Sequence, residues 1–182
     1  MYGMINRAIE EMVRHRSGDE TWALVREEAG VEADSFMAME SYPDDVTYGL
    51  VGAVSRVMGM PVPSVLDAFG EHWVLYTAQE GYGDLLAMGG STIHEFLVNL
   101  HNLHSHVALA FPQLRPPSFW CTEVTEGSLR LHYQSARPGL GPMVIGLLRG
   151  LGRLYETPVR VTHDRSREDG ADHDEFVVEF PR

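Results

Sequence analysis

The chain contains no lysine: its 14 basic residues are all arginines, set against 26 acidic ones. Schiff-base and P-loop chemistry both require a lysine amine, so both are excluded. The formal charge of -12 gives a surface that repels nucleic acid and anionic lipid, and neither is expected as a partner. Cysteine is almost absent. Cys121 alone permits no internal disulfide and no cysteine-rich metal site, which suits a reducing, cytoplasmic location. Long apolar runs are missing too. No window approaches the roughly 18 uncharged residues of a membrane helix, and Arg7, Glu10 and Glu11 stand where a secretory apolar region would lie.

What is present is 182 residues with 44% hydrophobic content, enough to bury one core, so a single domain over 1–182 is expected. Helical spacing dominates the first half. Met4, Ile5, Ala8, Ile9, Met12 and Val13 mark one helix, and Ser17-x-x-Glu20 reads as a capping box that opens another, carrying Trp22 and Val25 and stopping at Gly30. Val46 to Met58 mark a helix ending at Gly59, and Val65 to Tyr76 one that starts after Pro61 and Pro63. A second capping box, Thr92-x-x-Glu95, opens a long helix that runs to about Phe111, before Pro112. The period then changes to two. Residues 118–125 and 128–137 read as a hairpin turning at Glu126-Gly127, a helix begins near Pro142, and strands near 157–163 and 174–180 close the chain. The expected architecture is α+β: a helical part of about 1–62 against a part of about 63–182 with helices and a four-stranded antiparallel sheet.

On a helical wheel, Ile93, Phe96, Leu97, Leu100, Leu103, Val107 and Phe111 form one apolar stripe. His104 falls inside it. Two readings fit an imidazole in that position: a core histidine satisfied by a nearby carbonyl, or a metal ligand. A zinc site using His101 and His104 is a weaker reading, because the pair lies on either side of the stripe and lacks the H-E-x-x-H arrangement.

In the strand 128–137, alternation puts Leu129, Leu131, Tyr133, Ser135 and Arg137 on one face and Arg130, His132 and Gln134 on the other. Two hydroxyls and a guanidinium in a row suit one or two carboxylates in a partly dry site. Alone, each signal is weak. Together they specify haem b, an apolar disc that takes an axial imidazole at its centre and hydroxyl or cationic partners for two propionates at its edge.

The motifs, in order, resemble the H-NOX family of haem nitric oxide/oxygen-binding domains. They are Met1-Tyr2-Gly3, Phe69-Gly70-Glu71-His72-Trp73, Glu80-Gly81-Tyr82, Leu103-His104-Ser105-His106, the run Phe111 to Phe119, and Tyr133-x-Ser135-x-Arg137. The resemblance covers essentially the whole chain. It implies that His104 is the proximal haem ligand, that Tyr133, Ser135 and Arg137 clamp the propionates, and that Pro117 presses the macrocycle out of plane. It places Met4, Ile5, Trp73, Thr77, Met143 and Leu147 on the distal wall, and Tyr82, Leu100 and Leu103 against the porphyrin. Dioxygen-binding members have a tyrosine where this chain has Met143, and the cysteine-rich zinc site of some bacterial members is absent.

The resemblance therefore implies a sensor and not an enzyme: it would bind nitric oxide and carbon monoxide, exclude dioxygen, and signal by release of the proximal histidine. With no kinase or cyclase segment in the sequence, the expected partner is a separate histidine kinase or cyclic-dinucleotide enzyme. Two alternatives remain: a peroxidase-type haem enzyme, for which only His72 offers a candidate acid/base, and a small zinc protein.

Overall fold

The structure, a computed structural model, describes residues 1–32, 35–77, 83, 86, 88–110 and 116–181, with 106–110 described by backbone alone. Helix α1 (Gly3–Ala29) bends at Gly18, whose φ of 84° interrupts the helical conformation. A break at Ser17-Gly18 was legible, but its chemistry differs from a capping box: the bond made there runs from the Thr21 hydroxyl to the Ser17 carbonyl. Helices α2 (Asp44–Met58) and α3 (Val62–His72) follow, and α2 stops at a left-handed Gly59. The chain then winds through a π-helical turn, Trp73–Thr77.

Helix α4 (Ile93–Ala110) opens as expected at Thr92, whose hydroxyl accepts the Glu95 N–H at 3.1 Å. The returning half of the box differs, because the Glu95 carboxylate takes the Ser91 N–H at 2.9 Å. Strand β1 (Ser118–Thr122) and strand β2 (Ser128–Gln134) are shorter than the alternation suggested. Glu123, at φ 52°, ends the first. Ser135 and Arg137 thus sit just beyond β2, on the segment leading to helix α5 (Gly141–Leu154). Strands β3 (Arg160–Arg165) and β4 (Asp174–Glu179) complete an antiparallel sheet of order β1-β2-β4-β3.

The buried side chains form two clusters. One draws on α1, α2 and α3, with Ile9, Val13, Trp22, Leu50, Val54 and Phe69 at its centre. The other packs α4 and α5 on one face of the sheet through Ile93, Leu97, Phe119, Leu131, Leu148 and Phe176. Helix α3 thus packs with the first cluster although it lies beyond residue 62. The clusters meet where α3 crosses α5. There a Cβ on Gly70 would lie 2.7 Å from the Leu147 nitrogen and one on Gly146 would lie 2.8 Å from the Asp67 carbonyl carbon, so the backbones touch because both residues lack a side chain.

Candidate functional site

Helix α4 presents its apolar stripe to the sheet, with Ile93, Phe96, Leu97 and Leu100 buried and Leu103 half-buried against the second cluster. His104 is the next position on that wall. Its ring stacks on Phe119 of β1, centroids 5.3 Å apart and planes 17° apart. Burial, then the nearby His101, pushes its pKa down to about 4, so the imidazole is neutral at physiological pH. Its Nδ1 is buried and has no hydrogen-bond partner among the described residues. A neutral imidazole nitrogen left unmet in an apolar wall costs free energy in the protein alone. It is a group that suits metal ligation.

Phe119 links this histidine to the strand expected to clamp carboxylates. It lies opposite Tyr133 in the β1–β2 register, and their rings are 5.0 Å apart. The structure therefore assembles a column of His104, Phe119 and Tyr133, of which the sequence reading used only the two ends. Tyr133 is 4% exposed, and burial raises the pKa of its phenol despite a hydrogen bond to Ser135. Ser135 Oγ accepts the Arg137 N–H at 3.1 Å, which folds the segment after β2 into a compact turn. The three expected clamp residues are thus brought together, two of them beyond the strand.

Arg137 is neither solvated nor waiting alone. Its Nε and Nη2 reach the Asp44 carboxylate at 2.9 and 3.3 Å. Asp44 also accepts the Met1 ammonium at 2.6 Å. Burial would raise the Asp44 pKa, but hydrogen bonds from the Met1 ammonium and Arg137 outweigh it and hold the carboxyl below its ordinary value. Asp44 and Asp45 open α2 as a helix N-terminal charge pair, and Asp44 also anchors Arg137.

Of the expected distal positions, Trp73, Met143 and Leu147 lie along the seam between the two clusters, and Met4 and Ile5 lie on α1. Trp73 and Thr77 occupy the ends of the π turn, and Trp73 packs against both clusters. Met143 packs against the first cluster and Leu147, one turn along α5, against the second. Ile5 is half-buried against the first cluster; Met4 is half-buried beside it on α1. Thr77 Oγ1 is buried with no partner among the described residues. Pro117 is half-buried just before β1. Tyr82 and Phe111 lie outside the described residues, as does the side chain of Val107.

Two competing readings can be examined on this geometry. The acid/base role imagined for His72 is disfavoured by its surroundings: its ring stacks on Tyr76 at 4.8 Å and lies 6.1 Å from His15 of α1. Burial first, then His15 and Arg16, pushes its pKa down to about 4. Among the described residues, no third histidine, cysteine or carboxylate joins His101 and His104 to make a zinc site. Cys121 is a half-buried strand thiol whose pKa burial pushes up to about 11, which disfavours the thiolate. His132, on the face of β2 opposite Tyr133, is 8% exposed, because Trp120 and His173 cover it.

An unmet imidazole on an apolar wall and a hydroxyl and guanidinium turn nearby are a donor set that fits a haem and its propionates in an α+β domain. The comparisons agree. The haem-NO-binding family model matches residues 2–163. Among curated proteins, soluble guanylate cyclase gcy-32 of Caenorhabditis elegans is 34% identical over 98% of this chain and 28% of its own length. Soluble guanylate cyclase gcy-35 of the same organism is 31% identical over 98% of the chain and 26% of its own length. The chain thus spans about a quarter of these relatives. The fold matches that of an H-NOX protein from S. oneidensis in the Fe(II)NO ligation state, with a TM-score of 0.89 and 22% identity over 100% of both chains. It also matches an unliganded Fe(II) H-NOX mutant from K. algicida, with a TM-score of 0.87 and 21% identity over 100% of this chain and 97% of that one. The chain belongs to the haem-NO-binding, or H-NOX, family of gas-sensing domains. No single helix among the described residues is long and apolar enough to cross a membrane.

Proposed function

We propose that residues 1–182 act as one cytoplasmic sensor unit that holds haem b through His104, binds nitric oxide and carbon monoxide, and forms no stable complex with dioxygen. The observation that carries this reading is the buried, unpartnered Nδ1 of His104 on the wall of α4. When bound, the haem supplies a ferrous centre with affinity for diatomic gases. His104 would hold it at the proximal face and Tyr133, Ser135 and Arg137 at the propionate edge. Pro117 would bear on the macrocycle; Tyr82, Leu100 and Leu103 would pack against it. Met4, Ile5, Trp73, Thr77, Met143 and Leu147 would form the distal wall.

Met143 offers no hydrogen-bond donor, and a weakly held gas that needs one is therefore disfavoured. His104 would also be the residue through which ligand arrival reaches the fold: its ring stacks on Phe119 of β1, so a change in what holds the imidazole would bear on the packing of α4 against the sheet and on the surface outside it. A separate signalling protein, a histidine kinase or a cyclic-dinucleotide enzyme, would read that change.

The test is His104→Gly. The variant should keep its fold by circular dichroism, lose the axial bond seen in the absorption spectrum, and recover haem binding with added imidazole. An unchanged haem spectrum without imidazole would overturn the assignment.

A further inference from the structure

The outer face of the sheet, behind Tyr133, carries a second cluster unrelated to the haem reading. His132 of β2, His173 just before β4 and Glu175 of β4 bring three ligand atoms within 4.8 Å of one another. They are held there. His132 Nδ1 lies 2.8 Å from His173 Nε2, and His173 Nε2 lies 3.7 Å from Glu175 Oε1. The His132 ring is stacked on Trp120 with planes 3° apart.

The outward nitrogens are pinned as well. His173 Nδ1 meets the Asp172 carboxylate at 2.8 Å, which can only accept, so that nitrogen carries the proton and Nε2 offers a lone pair. His132 Nε2 lies 2.7 Å from the Thr122 hydroxyl, which can donate or accept. His132 Nδ1 therefore donates to His173 Nε2 across the 2.8 Å contact while Thr122 donates to His132 Nε2, and turning the Thr122 hydroxyl to accept instead leaves His132 Nδ1 a lone pair for an ion that replaces the ring-to-ring bond. Imidazoles whose second nitrogens are fixed by a carboxylate and a hydroxyl are the arrangement found around protein-bound metals.

We infer that His132, His173 and Glu175 form a binding site for a divalent transition metal of the zinc class, completed by solvent, that ties β2 to β4. Two imidazoles and one carboxylate with an open position suit Zn²⁺ and are poor for Mg²⁺ or Ca²⁺, which take oxygen ligands. The site contains no cysteine. On binding, the proton on His132 passes to Nε2, where Thr122 accepts it, so no co-reactant is needed. Two guanidinium groups already hold the Glu175 carboxylate: Arg130, whose Nη1 lies 3.0 Å from Oε2 and which also pairs with Glu123 and Asp164, and Arg165, whose Nη1 lies 3.2 Å from Oε1. The Arg165 side chain is 63% exposed and can swing away, which leaves Oε1 to the ion while Arg130 keeps Oε2.

The test is equilibrium dialysis of the haem-loaded protein against Zn²⁺, with zinc and iron counted by mass spectrometry. One zinc per chain is expected beyond the iron. His173→Gln and Glu175→Gln should weaken zinc by more than tenfold, and exposed Asp172→Ala by about 10–100-fold, the usual loss for a supporting partner. Arg165→Ala should bind more tightly, and His94→Gln should bind as the parent does. Folding of each variant is checked by circular dichroism and the haem spectrum, and Asp172→Ala keeps the test open if His173→Gln fails to fold. Absence of zinc from the parent protein, or zinc retained in both Asp172→Ala and Glu175→Gln, would overturn the site.

Discussion

Gly146→Ala adds one methyl group where α3 and α5 touch, and its effect can be worked from the backbone. The new Cβ would overlap the Asp67 carbonyl oxygen and lie 2.8 Å from its carbon and 3.0 Å from its Cα. All three are backbone atoms, so no side-chain rotation relieves the clash and the helices must separate. Helix propensity acts the other way, favouring alanine by about 0.8–1.0 kcal/mol. Overpacking costs about 1–3 kcal/mol, and the upper end applies where backbone has to move. The net loss is about 2 kcal/mol, which for a domain of this size lowers Tm by about 4–8 °C. Gly49→Ala is the matched control. Position 49 is exposed within α2, nothing lies within 4 Å of its Cβ, and propensity acts there alone. Its Tm should rise by about 2–4 °C. Thermal unfolding of both variants, followed by circular dichroism under one buffer, gives the comparison. Haem retention should fall only in Gly146→Ala, because that crossing carries Met143 and Leu147. A Gly146→Ala protein as stable as Gly49→Ala would refute the close approach.

The features legible in the sequence were those whose signal is local. The Thr92-x-x-Glu95 box, the stop at Gly59 and the start of α5 at Pro142 depend on neighbours a few residues away, and each stands where it was expected. His104 was legible for a related reason: a polar ring in an apolar stripe contradicts its surroundings within two helical turns. The hidden features needed long-range pairing. Arg137 finds Asp44 across 93 positions, and nothing near either residue announces the partner. Phe119 joins His104 to Tyr133 only once β1 is set opposite β2 in the observed register. Gly70 and Gly146 read as ordinary glycines until two helices cross on them. Alternation placed His132 on the face opposite Tyr133, but whether that face is wet depends on β4 bringing Glu175 opposite it and on Trp120 and His173 covering it.

Three further outcomes are expected. Removing the guanidinium in Arg137→Ala takes away a charge-assisted bond of about 1.5–3 kcal/mol, so haem transfer to apomyoglobin should show roughly ten- to hundredfold weaker retention. Asp44→Asn should cost less; equal losses would mean that Arg137 serves only its tie to Asp44. His72, held near pKa 4 when folded against 6.5 when unfolded, binds its proton in the unfolded state first. Stability of the apoprotein should therefore fall as pH drops from 6.5 towards 4. His104 is held near pKa 4 as well and contributes over the same range, so His72→Phe should reduce that slope by about half, and a slope unchanged from the parent would refute the assignment. The last outcome concerns dioxygen. Bound dioxygen carries partial negative charge on its outer atom and is held well where a donor reaches it, whereas nitric oxide binds ferrous haem without that help. Met143 is half-buried at the seam on α5 and brings no donor, so Met143→Tyr adds the missing hydroxyl. The variant should gain an oxy spectrum in air that the parent lacks. A stable oxy spectrum from the parent would show that another donor, the Trp73 indole N–H or the unpartnered Thr77 hydroxyl, already faces the gas.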